Sequence, residues 1–331
     1  MEPLLPAGSA KSQSYTRPVC ELPQAGFQHE AFFYAGTDEF LIGVLAFVDG
    51  GLNSDEAVLV ALPATKLDLV RRELGGERER VRFADIEGFG RNPARIIPAW
   101  QDFLDEHLTA GRAVRGVGEP IWAGRSAAEL DECERHEALL NQAFEGAPAW
   151  SLMCPYDAAG LDDCVLETAE RNHPLVCRDG ELEGSRSFSG PPGLEALDGT
   201  LEPPPSNAAE LSFTIGRLAE LRRFVAEQAG RTSLSAGRIA DLVLAANELA
   251  TNSLRHGGGE GSLRLWSRDG ALACEVDDRG RIDGPLVGRR RPRPDQVGGR
   301  GLWLANLLCD LVQIRSGKSG TAVRLQMSIA T

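Results

Sequence analysis

The chain contains no apolar run approaching the ~18 to 20 residues needed to cross a bilayer, and its polar first residues lack a signal-peptide core. A cytoplasmic protein without a membrane partner is therefore expected. The seven cysteines are odd in number and lack the spacing of a metal motif or disulfide framework. They suit a reducing compartment, with Cys154, Cys164 and Cys177 expected as small buried apolar residues. Histidine is scarce: His29, His107, His136, His173 and His256 are the whole set, so none stands between residues 174 and 255. A P-loop is also missing. Gly317-Lys-Ser319 imitates the end of one, but the glycine required at position 312 is Val312. The alternating residues on either side make it a hairpin turn instead.

What is present describes a globular protein of two parts. At 331 residues, with 42% apolar and 25% charged residues, the chain is long enough for two cores. Residues 1–206 hold 17 Lys/Arg against 35 Asp/Glu, whereas residues 207–331 hold 18 against 13. That asymmetry implies halves with different partners. The break follows a stretch containing Gly190-Pro-Pro-Gly193 and Pro203-Pro-Pro205, the composition of a linker. The expected organisation is a disordered segment at 1–24, a first domain at 25–182, a linker at 183–206 and a second domain at 207–331. The basic half needs no nucleic acid to explain it. Arg289, Arg290, Arg291 and Arg293 form a cluster that reads equally as a lid over a triphosphate or as a solvated basic loop.

Residues 27–180 alternate between strand-like and helix-like runs. Ala57-Val-Leu-Val-Ala-Leu62 is a buried strand, and the run from Asp38 to Gly50 repeats apolar residues at helical spacing. Such alternation predicts a mostly parallel sheet with helices on both faces. In the second half, Ile239, Val243, Ala246 and Ala250 predict a helix that displays Glu248 and Asn252 together on another part of its surface. An asparagine carbonyl is a suitable oxygen ligand for Mg²⁺, and a carboxylate one turn earlier can accept a proton. Ala271 to Asp277 predicts a strand ending at Asp278-Arg-Gly280, where a carboxylate can accept from an amino group while glycine permits close approach. Gly299-Arg-Gly301 then opens a further helix, a ready place for an anion.

These three signals, with the late Gly320-Thr321, resemble in order and spacing the boxes of the GHKL ATPases. That resemblance implies an α/β sandwich of the Bergerat type that binds ATP and Mg²⁺. The compact second half is most similar to the anti-sigma-factor serine kinases, which bind a sigma factor and phosphorylate an anti-anti-sigma (STAS) protein. It makes Glu248 the general base and Asn252 the Mg²⁺ ligand. Asp278 and Gly280 would receive adenine, Gly299 and Gly301 would shape the phosphate lid, and Thr321 would reach the base through water. A homodimer is common among such modules.

The first half resembles the MEDS sensory domain, related to the RecA/KaiC-like fold. The matching residues are His29 with Phe33-Tyr34, Gly118 to Trp122, Glu137 with Leu140-Asn141, Met153 to Asp157, and Asn172-His-Pro174. The resemblance implies a small-molecule ligand, with His29 and Trp122 as candidate pocket residues. Two other readings stay open: a sensor kinase acting on a separate phosphoacceptor, and a binding switch that uses ATP without catalysis.

Overall fold

The computed structural model describes residues 26–178, 180–190, 198–292 and 299–329. The expected disordered segment 1–24 lies outside them, as do residues 191–197 and 293–298. The first half contains β1 (Phe27–Tyr34), α1 (Thr37–Asn53), β2 (Ala57–Leu62), α2 (Ala64–Leu74), β3 (Val81–Asp85), α3 (Ile86–Phe89), α4 (Ile96–Leu108), β4 (Val114–Gly118), α5 (Ala127–Ala143), β5 (Trp150–Asp157), α6 (Asp163–Asn172), β6 (Leu175–Arg178) and β7 (Glu181–Gly184). Its sheet runs β3-β2-β4-β5-β1-β6-β7 and is parallel except for antiparallel β7 at one edge.

The expected sheet between two helical layers follows from the side-chain pattern. β2 is buried along its whole length, as a strand covered on both faces must be. In β1 the period of two sends Ala31 and Phe33 into one core, beside Trp100 of α4 and Leu140 of α5. Phe32 and Tyr34 enter the opposite core, beside Phe40, Val44 and Val48 of α1. Close approach of α1 requires glycine at position 43, where a Cβ would stand 2.1 Å from Phe32. α4 carries Pro98 in its first turn, where proline is tolerated.

The second half contains β8 (Ala209–Thr214), α7 (Leu218–Ala229), α8 (Ala236–His256), β9 (Glu260–Arg268), β10 (Ala271–Asp278), α9 (Arg300–Leu308), β11 (Leu311–Gly317) and β12 (Gly320–Ser328). Its antiparallel sheet runs β11-β12-β10-β9-β8. Ser235 caps α8 by accepting from Arg238 N, and Leu242, Ala245, Ala246, Leu249 and Ala250 bury one face of the helix. Against it stand Leu263, Leu265, Cys274, Val276, Val323 and Leu325 of the sheet. Asp269 and Gly270, with φ of 51° and 72°, join β9 to β10 in the conformation a tight hairpin requires. Gly317-Lys-Ser319 is indeed part of the β11–β12 hairpin.

The proline-rich stretch is more than a spacer. Glu183 and Gly184 end β7, and Glu202 is tied to the second sheet. Its carbonyl accepts from Arg324 at 2.6 Å, and its carboxylate pairs with Arg268 at 2.6 Å. Among the described residues no helix is long and apolar enough to cross a membrane.

The two halves meet through buried polar groups. Glu132 of α5 receives Arg289 at 2.7 Å and Arg315 at 2.8 Å, and all three residues are at most 5% exposed. Arg315 also pairs with Asp131. Arg95 donates to the carbonyls of Asn306, Leu307 and Cys309 at 2.7 to 2.8 Å, satisfying acceptors that the end of α9 leaves open. Asn92 donates to Asn306 O at 3.0 Å, while Asn306 Nδ2 donates to Gly288 O at 2.9 Å.

Removing Glu132 would strand two buried guanidinium groups. Glu132→Ala is expected to lower unfolding stability by about 3 kcal/mol, the lower end for breaking a buried pair, because Arg315 keeps Asp131. Chemical denaturation measures this; an unchanged midpoint would show that the halves do not rely on that carboxylate.

Candidate functional site

α8 sets the geometry of the site. Its buried face anchors the helix, and Asn252, Ser253 and His256 at its carboxyl end line a cavity of about 390 Å³. That volume suits a small ligand. The chamber is closed by the end of β10, the loop through Ile282 and Val287, the start of α9, and Thr321 and Val323 of β12. Apolar walls are contributed by Leu249, Val276, Ile282, Val287, Leu302 and Val323, and polar side chains by Asn252, Ser253, His256, Asp278, Arg281, Asp283 and Thr321.

Asp278 is the most rigidly held of these. Its Oδ2 accepts from Ser253 Oγ at 2.6 Å and its Oδ1 from Gly280 N at 2.7 Å. A carboxylate has about four acceptor sites, so lone pairs remain for a ligand's amino group. The backbone crowds closely behind it. A Cβ at position 320 would lie 2.2 Å from Asp278 O, and Gly320 has φ of 125°, a conformation open only to glycine.

The hydroxyl chain beside Asp278, where Thr321 is its cross-strand partner, has one polarity. Thr321 Oγ1 donates to Gly280 O at 2.9 Å, a carbonyl that can only accept. Ser316 Oγ, 2.7 Å away, must therefore donate to Thr321, and itself accepts from Ile282 N at 2.9 Å. One lone pair of Thr321 is left over.

At the mouth, Gly301 separates α9 from the polar surface of α8. A Cβ there would meet Asn252 Nδ2 at 2.9 Å and Glu248 Oε2 at 3.3 Å. Only glycine lets the first turn of α9 reach these side chains without displacing one. Gly299 caps that helix with φ of 77°. Asn252, Asp278, Gly280, Gly299 and Thr321 all line the cavity. Glu248 and Gly301 stand beside it. The adenine-type and phosphate-type features thus meet in one chamber, and the donors present fit a nucleotide with a hard divalent cation.

Three expectations need correction. Arg289, Arg290 and Arg291 do not form a lid over the cavity. Arg289 is buried against Glu132, Arg290 donates to Ala143 O at 2.6 Å, and Arg291 pairs with Asp102 at 2.8 Å; Arg293 lies outside the described residues. Two carboxylates and one backbone carbonyl of the first half hold these three guanidinium groups. His29 offers no exposed surface, being 0% exposed. His29 is fully buried among Glu137, Asn141, Cys154 and His173, whereas Trp122 lies 3.6 Å beneath the Arg125 guanidinium. Cys164 is exposed, while Cys154 and Cys177 are buried. Sequence reasoning also missed Ser253 and Ser316. A serine on the apolar face of α8 was a readable signal for the first; nothing local marked the second.

Two family models match separate parts of the chain. A family model described as the MEDS (methanogen/methylotroph, DcmR) sensory domain matches residues 28–174. One described as a histidine kinase-like ATPase domain matches residues 211–327. No curated protein matches the chain. Solved structures that it resembles include the RsbU and RsbW domains of a Mycobacterium tuberculosis protein, at 22% identity and a TM-score of 0.28. That match covers 37% of this chain and 33% of the other, so the chain spans about one third of that relative's length. The Acinetobacter baumannii histidine kinase AdeS matches at 10% identity and a TM-score of 0.23, covering 37% of this chain and 68% of that one. This chain joins a MEDS sensory domain to a histidine kinase-like ATPase domain.

Proposed function

We propose that this protein is an anti-sigma regulatory factor that binds Mg-ATP and phosphorylates a serine on an anti-anti-sigma STAS partner. The reading rests on one observation: a strand-end carboxylate and a helix-borne asparagine line one chamber with mixed apolar and polar walls and glycine at the start of α9. Bound Mg-ATP would supply the transferable phosphoryl group and the cation that offsets its charge. Asp278, held by Ser253 and Gly280, accepts from the adenine amino group. The spare lone pair of Thr321 serves the base through water. Asn252 offers its amide oxygen to Mg²⁺. Gly299 and Gly301 let the first-turn N–H groups of α9 face phosphate oxygens. Glu248, beside that turn, takes the proton of the serine hydroxyl.

Serine fits the acceptor role better than histidine. His173 is buried in the first half, His256 lines the cavity itself, and residues 174–255 contain none. Phosphoserine carries about −1.5 to −2 charges, enough to weaken a docked surface by repulsion. Control by the MEDS half has a physical route through Arg289, Arg290 and Arg291. These residues follow the cavity loop and are held by α4 and α5. A sigma factor is the second partner in this reading. One observation favours a non-catalytic ATP-dependent switch: Glu248 stands beside the cavity, outside its wall.

Asn252→Ala is expected to weaken Mg²⁺-dependent ATP binding at least tenfold by calorimetry, and unchanged affinity removes the metal role. Glu248→Ala should keep ATP affinity and slow transfer by about 10²- to 10⁴-fold, the span of general-base catalysis. Capture of partners on the purified chain with and without Mg-ATP, followed by phosphosite mapping, tests the whole scheme. Acid-stable phosphoserine on a STAS protein supports it. A partner bound in an ATP-dependent manner but never phosphorylated favours the switch, and acid-labile phosphohistidine overturns both.

A further inference from the structure

Deep in the first half, four potential ligands converge from separate elements: His29 of β1, Glu137 of α5, Cys154 of β5 and His173 after α6. All are buried, and their ligand atoms lie within 4.8 Å of one another. His29 Nε2 is 3.1 Å from Glu137 Oε2 and 3.3 Å from Cys154 Sγ. His173 Nε2 is 3.2 Å from the same carboxylate oxygen, yet without hydrogen-bond alignment.

The tautomers are dictated from outside the cluster. His173 Nδ1 lies 2.8 Å from Ala169 O, a carbonyl that can only accept, so Nδ1 carries the proton. Asn141 donates Nδ2 to Asn172 O at 2.7 Å, which turns its Oδ1 toward His29 Nδ1 at 3.2 Å. That nitrogen must donate as well. Both Nε2 lone pairs therefore face a carboxylate, which also only accepts. Such an arrangement needs a positive centre between the acceptors. Glu137 Oε1 and His173 Nε2 are left without hydrogen-bond partners.

We propose that His29, Glu137, Cys154 and His173 bind one divalent, borderline-soft metal ion, zinc being the best fit to two imidazoles, a thiolate and a carboxylate. Tetrahedral zinc with bonds of about 2.0 to 2.3 Å has ligand–ligand edges of roughly 3.3 to 3.8 Å. The three short separations already approach that range. Glu137 and the Cys154 thiolate together balance a dication, so the loaded site is neutral inside the core. Binding forms four metal–ligand bonds and releases the Cys154 thiol proton to solvent. The Nδ1 bonds to Ala169 O and Asn141 Oδ1 are the outer contacts that orient metal-binding imidazoles. Four protein ligands and full burial give a closed, structural site that cross-links β1, β5, α5 and the α6–β6 turn.

The test uses the full chain, purified without chelator or histidine tag. Elemental analysis should find one zinc ion per chain, and cobalt loading should give the visible bands of tetrahedral cobalt with a thiolate charge-transfer band. Cys154→Ser should lose the charge-transfer band, His173→Gln should lower metal content, and Cys164→Ser should change neither. Another divalent metal bound through the same residues also supports the site. Should the ligand variants fail to fold, the cobalt spectrum of the unaltered chain still decides. Less than a tenth of an equivalent of metal, with no cobalt spectrum, overturns the proposal in favour of a proton-bridged core. Metal that persists in both folded ligand variants overturns it too.

Discussion

Two guanidinium groups from the second half, Arg289 and Arg315, reach into the first half and end on one buried carboxylate, Glu132. Isolated, each would be a costly buried cation, and burial already lowers the pKa of Arg289. Paired, they tie the loop after β10 and the strand β11 to helix α5. Arg95 performs a related task at α9, where its guanidinium satisfies three carbonyls of the helix end. The nucleotide-type chamber is therefore built from the second half alone, while two of its walls are held in place by the first.

Helix α5 is the common member. Glu132 faces the ATPase half and Glu137, more than one turn later, faces the buried His–Cys cluster. A capping box fixes where this helix begins: Ser126 Oγ accepts from Glu129 N, and the Glu129 carboxylate accepts from Ser126 N. Any rearrangement around Glu137 would be felt at Glu132 through a rigid helix. α5 thus links the buried cluster of the first half to the contact with the ATPase domain.

Within the chamber, close backbone approach matters as much as polar chemistry. Gly320 lies under the Asp278 carbonyl, and Gly301 sits against Asn252 and Glu248. Both positions exclude a Cβ for steric reasons. This is why short glycine-bearing motifs carried so much of the site in the sequence. Their residue types are required by contacts with other elements, and the spacing is set by strand and helix geometry.

Several features were readable from the chain because they depend on local periodicity. The continuous apolar run of β2, the helical repeat of α8 and the alternation in β10 and β12 dictated sheet and helix, and the order of motifs identified the nucleotide chamber. Asp278, Asn252 and Thr321, singled out by those motifs, line one cavity. What the sequence could not decide were contacts between residues far apart in the chain. Arg289 pairs with a glutamate 157 positions away, and His29 meets Cys154 125 positions away. Four ligands contributed singly by four elements have no spacing to recognise. The arginines were read as a lid or a solvated loop from their place in the chain, and only the packing of the two halves shows the carboxylates and the carbonyl that hold them. Periodicity acts over a few residues and is written in the chain; partner choice for a buried charge is settled by which groups the completed fold brings within reach.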